Sequence, residues 1–293
     1  MEQLINIREK PLLKPDWIRV RLPTEQQYFA VKKLLRQSSL HTVCEEAACP
    51  NIYECFSKGV ATFMIMGDVC TRYCHYCHVK TGKPAALDAT EPQHLAEAID
   101  ALGLRYVVIT CVTRDDLADG GASHFVKCVE AIRAKNPSCA IEVLTSDFAY
   151  NDEALAAVVA ARPDVFSHNI EAPRRVYRQV RKKGKYEDSL HLLYKIKQID
   201  ASMKTKSGFM LGLGETEDEI LEVMADLAMV DCDFLTIGQY LQPTLKHAAV
   251  EKFYHPGEFS RFAAFGMEMG FLHVEAGPLV RSSYRADKLN KFV

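Results

Sequence analysis

Three cysteines at the spacing CxxxCxxC, Cys70, Cys74 and Cys77 in CTRYCHYC, follow the apolar run Ala61 to Gly67. Three thiolates can hold three irons of a 4Fe-4S cube and leave the fourth iron open to a substrate or cofactor, whereas a closed electron-transfer cluster takes four cysteines. A second triplet, Cys44, Cys49 and Cys55 in CEEAACPNIYEC, ends fifteen residues upstream of Cys70 and has different internal spacing. Two unlike triplets point to two clusters with different jobs. The competing reading is a zinc site made of Cys70, Cys74, Cys77 and either His75 or His78, since thiolate and imidazole are ordinary zinc ligands. Cys111, Cys128, Cys139 and Cys232 are scattered on apolar segments and read as small buried hydrophobes.

The elements that must position these cysteines begin at Ala61. Six strand-like runs alternate with amphipathic helical stretches: Ala61 to Gly67, Arg105 to Thr110, Ala140 to Thr145, Val165 to Glu171, Lys204 to Gly212 and Phe234 to Leu241. Their near-continuous apolar character fits strands buried on both faces of a parallel sheet, with helices outside. Capping-box patterns at Thr90/Gln93 and Thr216/Glu219 mark two of the helix starts. The reading is an α/β fold, a partial (β/α)6 barrel of TIM type, with an open doubly wound sheet as the alternative. Residues 1–60 form an N-terminal extension carrying the upstream triplet and a helix from Glu25 to Gln37. Residues 61–275 form the barrel, and residues 276–293 a C-terminal tail. Ligands of parallel barrels gather at the carboxyl ends of the strands, where Cys70, Cys74 and Cys77 fall.

The chain's 293 residues allow one large domain, and its 36 basic against 38 acidic residues give no charge argument for nucleic acid or a membrane surface. The N-terminal stretch lacks a continuous apolar region and the Arg- and Ser-rich character of a transit peptide, so a cytoplasmic protein is expected. In a reducing compartment, ten cysteines favour metal binding over disulfides.

The CxxxCxxC spacing with Tyr76 before its last cysteine resembles the signature of the radical S-adenosylmethionine (SAM) superfamily. CEEAACPNIYECF resembles the auxiliary-cluster motif of the lipoyl synthase family, and RSSYRA (Arg281 to Ala286) resembles that family's C-terminal motif. Further matches are KPDWIRV, TCVTRDDLADGGASHF, HNIE with the following RRVYRQVR, and GLGET, so the resemblance covers almost the whole chain. The chain departs from the family pattern at Tyr73, His75 and His78, and at Tyr53 and Phe56, without losing a proposed ligand.

The resemblance implies two 4Fe-4S clusters and SAM as cofactors. Cys70, Cys74 and Cys77 would hold the radical-generating cluster. Cys44, Cys49 and Cys55, with Ser283 as fourth ligand, would hold an auxiliary one. A serine alkoxide is a harder ligand than thiolate and could leave when that cluster reacts; the bland reading of Ser282 and Ser283 is a turn. The implied reaction abstracts hydrogen from C6 and then C8 of a protein-bound octanoyl chain, and the auxiliary cluster donates both sulfurs. Thr110, Asn169, Glu171 and Arg181 are candidate SAM contacts, against readings as helix-start polar groups and a solvated surface. Implied partners are octanoylated lipoyl domains or glycine-cleavage H protein, docking on the basic run Arg174 to Lys185, and an electron donor such as ferredoxin or flavodoxin. The rivals are a methylthiotransferase, which would need an added domain, and a non-catalytic iron–sulfur or zinc module, which would not need a barrel.

Overall fold

The computed structural model describes residues 11–20, 26–57 and 61–293, so the start of the N-terminal stretch lies outside the described residues. The chain divides into two compact units. One gathers Val20–Arg72, His78–Ser167 and Arg285–Val293. The other gathers Tyr73–Cys77 and His168–Tyr284 with the N-terminal residues up to Arg19. The chain therefore passes from one unit to the other inside the CxxxCxxC run and returns directly after it.

In the first unit, helix α1 (Gln26–Gln37) leads into strand β1 (His41–Thr42) and the short helices α2 (Val43–Glu46) and α3 (Ile52–Ser57). Strand β2 (Thr62–Ile65) pairs antiparallel with β1, His41 facing Met64. A two-residue ladder of β3 (Val69–Cys70) and β4 (Lys80–Thr81) brackets the cysteine loop. Helix α4 (Glu91–Ala101), β5 (Tyr106–Cys111), α5 (Ala122–Lys135), β6 (Ala140–Leu144), α6 (Asp152–Ala160) and β7 (Val165–Ser167) then alternate. Strands β2, β5, β6 and β7 run parallel in that order. Phe63, Ile109, Ile141, Val143 and Phe166 are all buried, which is why these segments carry no polar face.

The second unit continues the alternation with α7 (Arg174–Val180), α8 (Tyr186–Ile199), β8 (Lys204–Leu211), α9 (Glu217–Met229), β9 (Phe234–Gln239), α10 (Pro256–Glu268) and β10 (His273–Gly277). Strands β8, β9 and β10 are parallel. Strand β10 was missed in the sequence reading: HVEAG is short and contains Glu275 and Gly277, so it lacks the apolar run that marked the others. The Val165 to Glu171 run is strand only to Ser167. Glu171 turns left-handed at φ 66° and makes a single bridge to Phe209.

Local signals had mixed outcomes. Thr216 and Glu219 form both bonds of the capping box on α9. Thr90 does not cap α4: its N–H and hydroxyl both bind Asp88, while Gln93 binds Glu97. Glu91 instead turns inward and accepts the Met66 N–H at 2.9 Å. Among the described residues, no helix is long and apolar enough to cross a membrane.

Candidate active site

Cys70 is the last residue of β3, and its sulfur accepts two backbone N–H bonds, from Arg72 at 3.4 Å and Thr113 at 3.3 Å. Two backbone donors from different segments thus converge on one sulfur. The Arg72 side chain binds Asp115 and Asp147 through bidentate pairs. Neither Arg72 nor Asp147 was singled out from sequence. Arg72 sits in plain view inside CTRYC, whereas nothing in the pattern around Asp147 marks it. Thr110, at the end of β5, is buried and gives its hydroxyl proton to the Leu144 carbonyl at 2.9 Å. As a ligand contact it keeps only acceptor capacity.

In the other unit, Cys74 and Cys77 flank Tyr76, which packs on Ala172, Val176, Val180 and Tyr240. His75 is tied down by its backbone, donating N–H to Val180 and accepting from Ala248. Its Nδ1 is buried without a partner, and burial, then Lys182 and His247, hold its pKa below the ordinary imidazole value. His247, another residue missed in the sequence, lies 3.0 Å through Nε2 from the Cys77 carbonyl, while its Nδ1 meets the Thr244 hydroxyl at 2.9 Å. No short motif surrounds it, so only the fold reveals this brace.

Asn169, Glu171 and Arg181 come together beside Tyr76 and Cys74. Burial pushes the Glu171 carboxyl up, opposed by the Arg181 charge and by hydrogen bonds from Asn169 and Tyr76. Arg181 donates to the Asn169 carbonyl at 3.3 Å and lies 5.6 Å from the Tyr177 ring centre. Burial works against its charge, and Tyr76, Tyr177, Glu171 and Cys74 outweigh it. Arg181 is 9% exposed, so the solvated-surface reading fails for it. The Asn169 Oδ1 is buried and unpaired, and Gly208 packs close beside it: a Cβ there would stand 3.3 Å from Oδ1 and clash with Thr236 Oγ1 at 2.2 Å. An orphaned buried acceptor fits a hydroxyl-bearing ligand such as a ribose.

The upstream triplet is built on two short helices. Thr42 caps α2 through the Glu45 N–H, Cys49 N–H closes on the Cys44 carbonyl at 3.0 Å, and Cys55 N–H on Asn51 at 2.9 Å. Burial, then the neighbouring Cys49, pushes the Cys44 thiol up to about 12. A sulfur placed like that of Cys44 ionises readily only when a metal supplies positive charge. His78, next to Cys77 in the chain, places Nδ1 3.2 Å from the Glu46 carbonyl, midway between Cys44 and Cys49. Ligand atoms of His41, Glu46 and Asp68 lie within 4.8 Å of one another, but the Lys80 ammonium on Asp68 at 2.6 Å already supplies the cation there.

Ser282 and Ser283 lie in a turn closed by Tyr284 N–H on the Arg281 carbonyl. Two residues on from Ser283, Arg285 reaches within 3.9 Å of Glu54, the neighbour of Cys55. Three of the scattered cysteines, Cys128, Cys139 and Cys232, are buried as expected, whereas Cys111 at the end of β5 is half-buried; burial raises Cys111 and Cys232 to about 12 and Cys139 to about 11. Thiols this weakly acidic are inert.

Residues 64–227 match the radical SAM superfamily, and residues 2–49 match the N-terminal domain of lipoyl synthase. The lipoyl synthase of Shouchella clausii is 52% identical over 282 residues, covering 96% of this chain and 91% of that one. The chain belongs to the lipoyl synthase family. The lipoyl synthases of Alcanivorax borkumensis and Laribacter hongkongensis are 53% and 54% identical, each over 96% of this chain and over 86% and 89% of their own. Solved structures share the fold at low identity. Methylornithine synthase superposes with TM-score 0.52 at 14% identity, over 78% of this chain and 68% of its own. SuiB of Streptococcus suis bound to its precursor peptide superposes with TM-score 0.58 at 9% identity, over 78% and 52%. The α/β partial barrel is thus the fold, and the chain is a radical SAM sulfur-inserting enzyme, with SAM and a 4Fe-4S cluster implied by its family.

Proposed function

We propose that Cys70, Cys74 and Cys77 hold the radical-generating 4Fe-4S cluster, that Cys44, Cys49, Cys55 and Ser283 hold a second one, and that two sulfurs are inserted at C6 and C8 of a protein-bound octanoyl-lysine. The contact between His78 and the Glu46 carbonyl carries this reading. It ties the backbone of the upstream triplet to the residue that follows the last cysteine of CxxxCxxC, as a sulfur donor and a radical source acting on one chain of carbons require. The resemblance of RSSYRA to the family's C-terminal motif supports Ser283 as the fourth ligand.

When bound, SAM and the reduced cluster supply a 5'-deoxyadenosyl radical strong enough for an unactivated C–H bond, and the second cluster supplies sulfide. The protein's part is orientation. Asn169 Oδ1 would accept a hydrogen bond from a ribose hydroxyl. Arg181, held over Tyr177 and beside Glu171, presents a fixed positive charge that suits the methionine carboxylate. Tyr76 and the apolar residues under it close the site to water.

The carrier is an octanoylated lipoyl domain or glycine-cleavage H protein, the reductant a ferredoxin or flavodoxin, and the compartment the cytoplasm. Part of the basic run is spent inside the fold: Arg174 pairs with Glu187 and Asp226, and Arg175 with Glu219. Arg178, Lys182 and Lys183 stand exposed and are the residues that would meet an acidic carrier.

The test is anaerobic reconstitution of the full chain and of a Cys44→Ala/Cys49→Ala/Cys55→Ala variant, followed by iron analysis and incubation with SAM, dithionite and an octanoyl-lysine peptide. The wild type is expected to hold about eight irons. The variant is expected to hold about four, still form 5'-deoxyadenosine and insert no sulfur. Sulfur insertion by the variant, or zinc in place of iron, rejects the proposal.

A further inference from the structure

Arg72 has no role in the reading above, yet its side chain is 7% exposed and its guanidinium is gripped from two sides. Nε and Nη2 bind Asp115 at 2.8 and 2.6 Å, and Nη1 and Nη2 bind Asp147, whose side chain is fully buried, at 2.5 and 2.8 Å. Asp115 follows Thr113 by two residues, as Arg72 follows Cys70. Thr71 stitches the same two segments together: its N–H and hydroxyl both donate to the Thr113 carbonyl at 3.0 Å, and its hydroxyl oxygen accepts the Asp115 N–H at 3.1 Å. The Cys70 sulfur lies where the two segments meet and takes one N–H from each, from Arg72 and from Thr113.

We propose that Arg72 is a positioning residue whose clamp on Asp115 and Asp147 holds both N–H···S bonds on Cys70 and so sets the reduction potential of the cluster that Cys70 ligates. The proposal rests on the assignment of Cys70 to the radical-generating cluster. A backbone N–H aimed at a ligand sulfur stabilises the reduced cluster, which carries one more negative charge, over the oxidised one, and potentials of such clusters follow the hydrogen bonds to their sulfurs. The geometry needs a fork. Two carboxylates on two different segments are engaged in parallel pairs, which a planar guanidinium can do and an ammonium cannot. Asp115 bonded to Arg72 is held below the usual carboxylate range, first by that hydrogen bond.

Two substitutions leave the local charge unaltered and loosen the clamp. Arg72→Lys keeps the cation and loses the fork, and Thr71→Val keeps the shape and loses the hydroxyl bridge. The measurement is an EPR-monitored reductive titration of the reconstituted full chain, reading the cluster signal that changes on adding SAM. Both variants are expected to show a roughly tenfold lower ratio of reduced to oxidised cluster at a fixed potential, a midpoint about 59 mV more negative for a one-electron couple. A wild-type midpoint in an iron-loaded variant overturns the proposal, because a clamp that only stabilises the fold would lower the melting temperature and leave the potential alone. Should Arg72→Lys fail to retain iron, Thr71→Val decides by the same criterion. A wild-type protein lacking any SAM-sensitive cluster signal would instead defeat the assignment of Cys70.

Discussion

At the scale of single residues, the site is a set of groups each fixed by a partner that short motifs do not reveal. His247 braces the Cys77 carbonyl, and its loss would remove a hydrogen bond worth about 0.5–1.5 kcal/mol. His247→Ala is therefore expected to lower the melting temperature and to shed iron faster on exposure to air, both measurable on the reconstituted protein. Glu171 gathers Tyr76, Asn169 and Arg181 around a carboxylate that burial disfavours. Replacing it by glutamine removes the charge facing Arg181 and keeps the shape. Glu171→Gln is expected to raise the KM for SAM roughly tenfold, equivalent to about 1.4 kcal/mol, with iron content unchanged. Equal KM values for the two proteins would remove Glu171 from the SAM site.

At the scale of elements, helix starts and close approaches of backbone decide how well the loops are held. The capping box of α9 is complete, and the Glu219 carboxyl is also held by Arg175, which with Thr216 keeps its pKa below the ordinary value of 4.5. A carboxyl depressed in the folded state adds stability in full above its unfolded value and loses it as pH falls through the folded value. Urea unfolding should thus show Thr216→Ala less stable by about 1 kcal/mol at neutral pH, and Glu219→Gln with a shallower loss of stability below about pH 4.5. Strand β9 makes the second case. A Cβ on Gly238 would stand 2.2 Å from the Val280 carbonyl oxygen, and Arg281 ties the same segment to Gln239. Gly238→Ala must push that backbone away, a strain of about 1–3 kcal/mol. On the proposal that Ser283, just beyond, ligates a second cluster, iron analysis of this variant is expected to show loss of that cluster before the first.

At the scale of the whole molecule, charge is balanced in total and uneven in place. With Arg174 and Arg175 committed to internal pairs, Arg178, Lys182 and Lys183 carry the outward positive charge of α7 and the turn after it. Reversing all three to glutamate is expected to slow association with an acidic carrier domain at least tenfold at low salt and to flatten the salt dependence, with turnover of a free octanoyl peptide unchanged. How much of this was legible in the chain alone follows from the range of each interaction. The two cysteine triplets, the six buried strands and the α9 cap are local: their chemistry or periodicity is complete within a few residues, so sequence by itself determined them, and with them the family. The seventh parallel strand, β10, escaped because only Val274 in it is buried and its place is set by pairing with β9 and packing on α10, not by its own composition. Arg72, Asp147 and His247 escaped because their partners lie 43 to 170 residues away in the chain. Only the folded backbone brings a guanidinium to two distant carboxylates or an imidazole to a particular carbonyl, since hydrogen bonds act over about 3 Å and leave no periodic trace in the sequence.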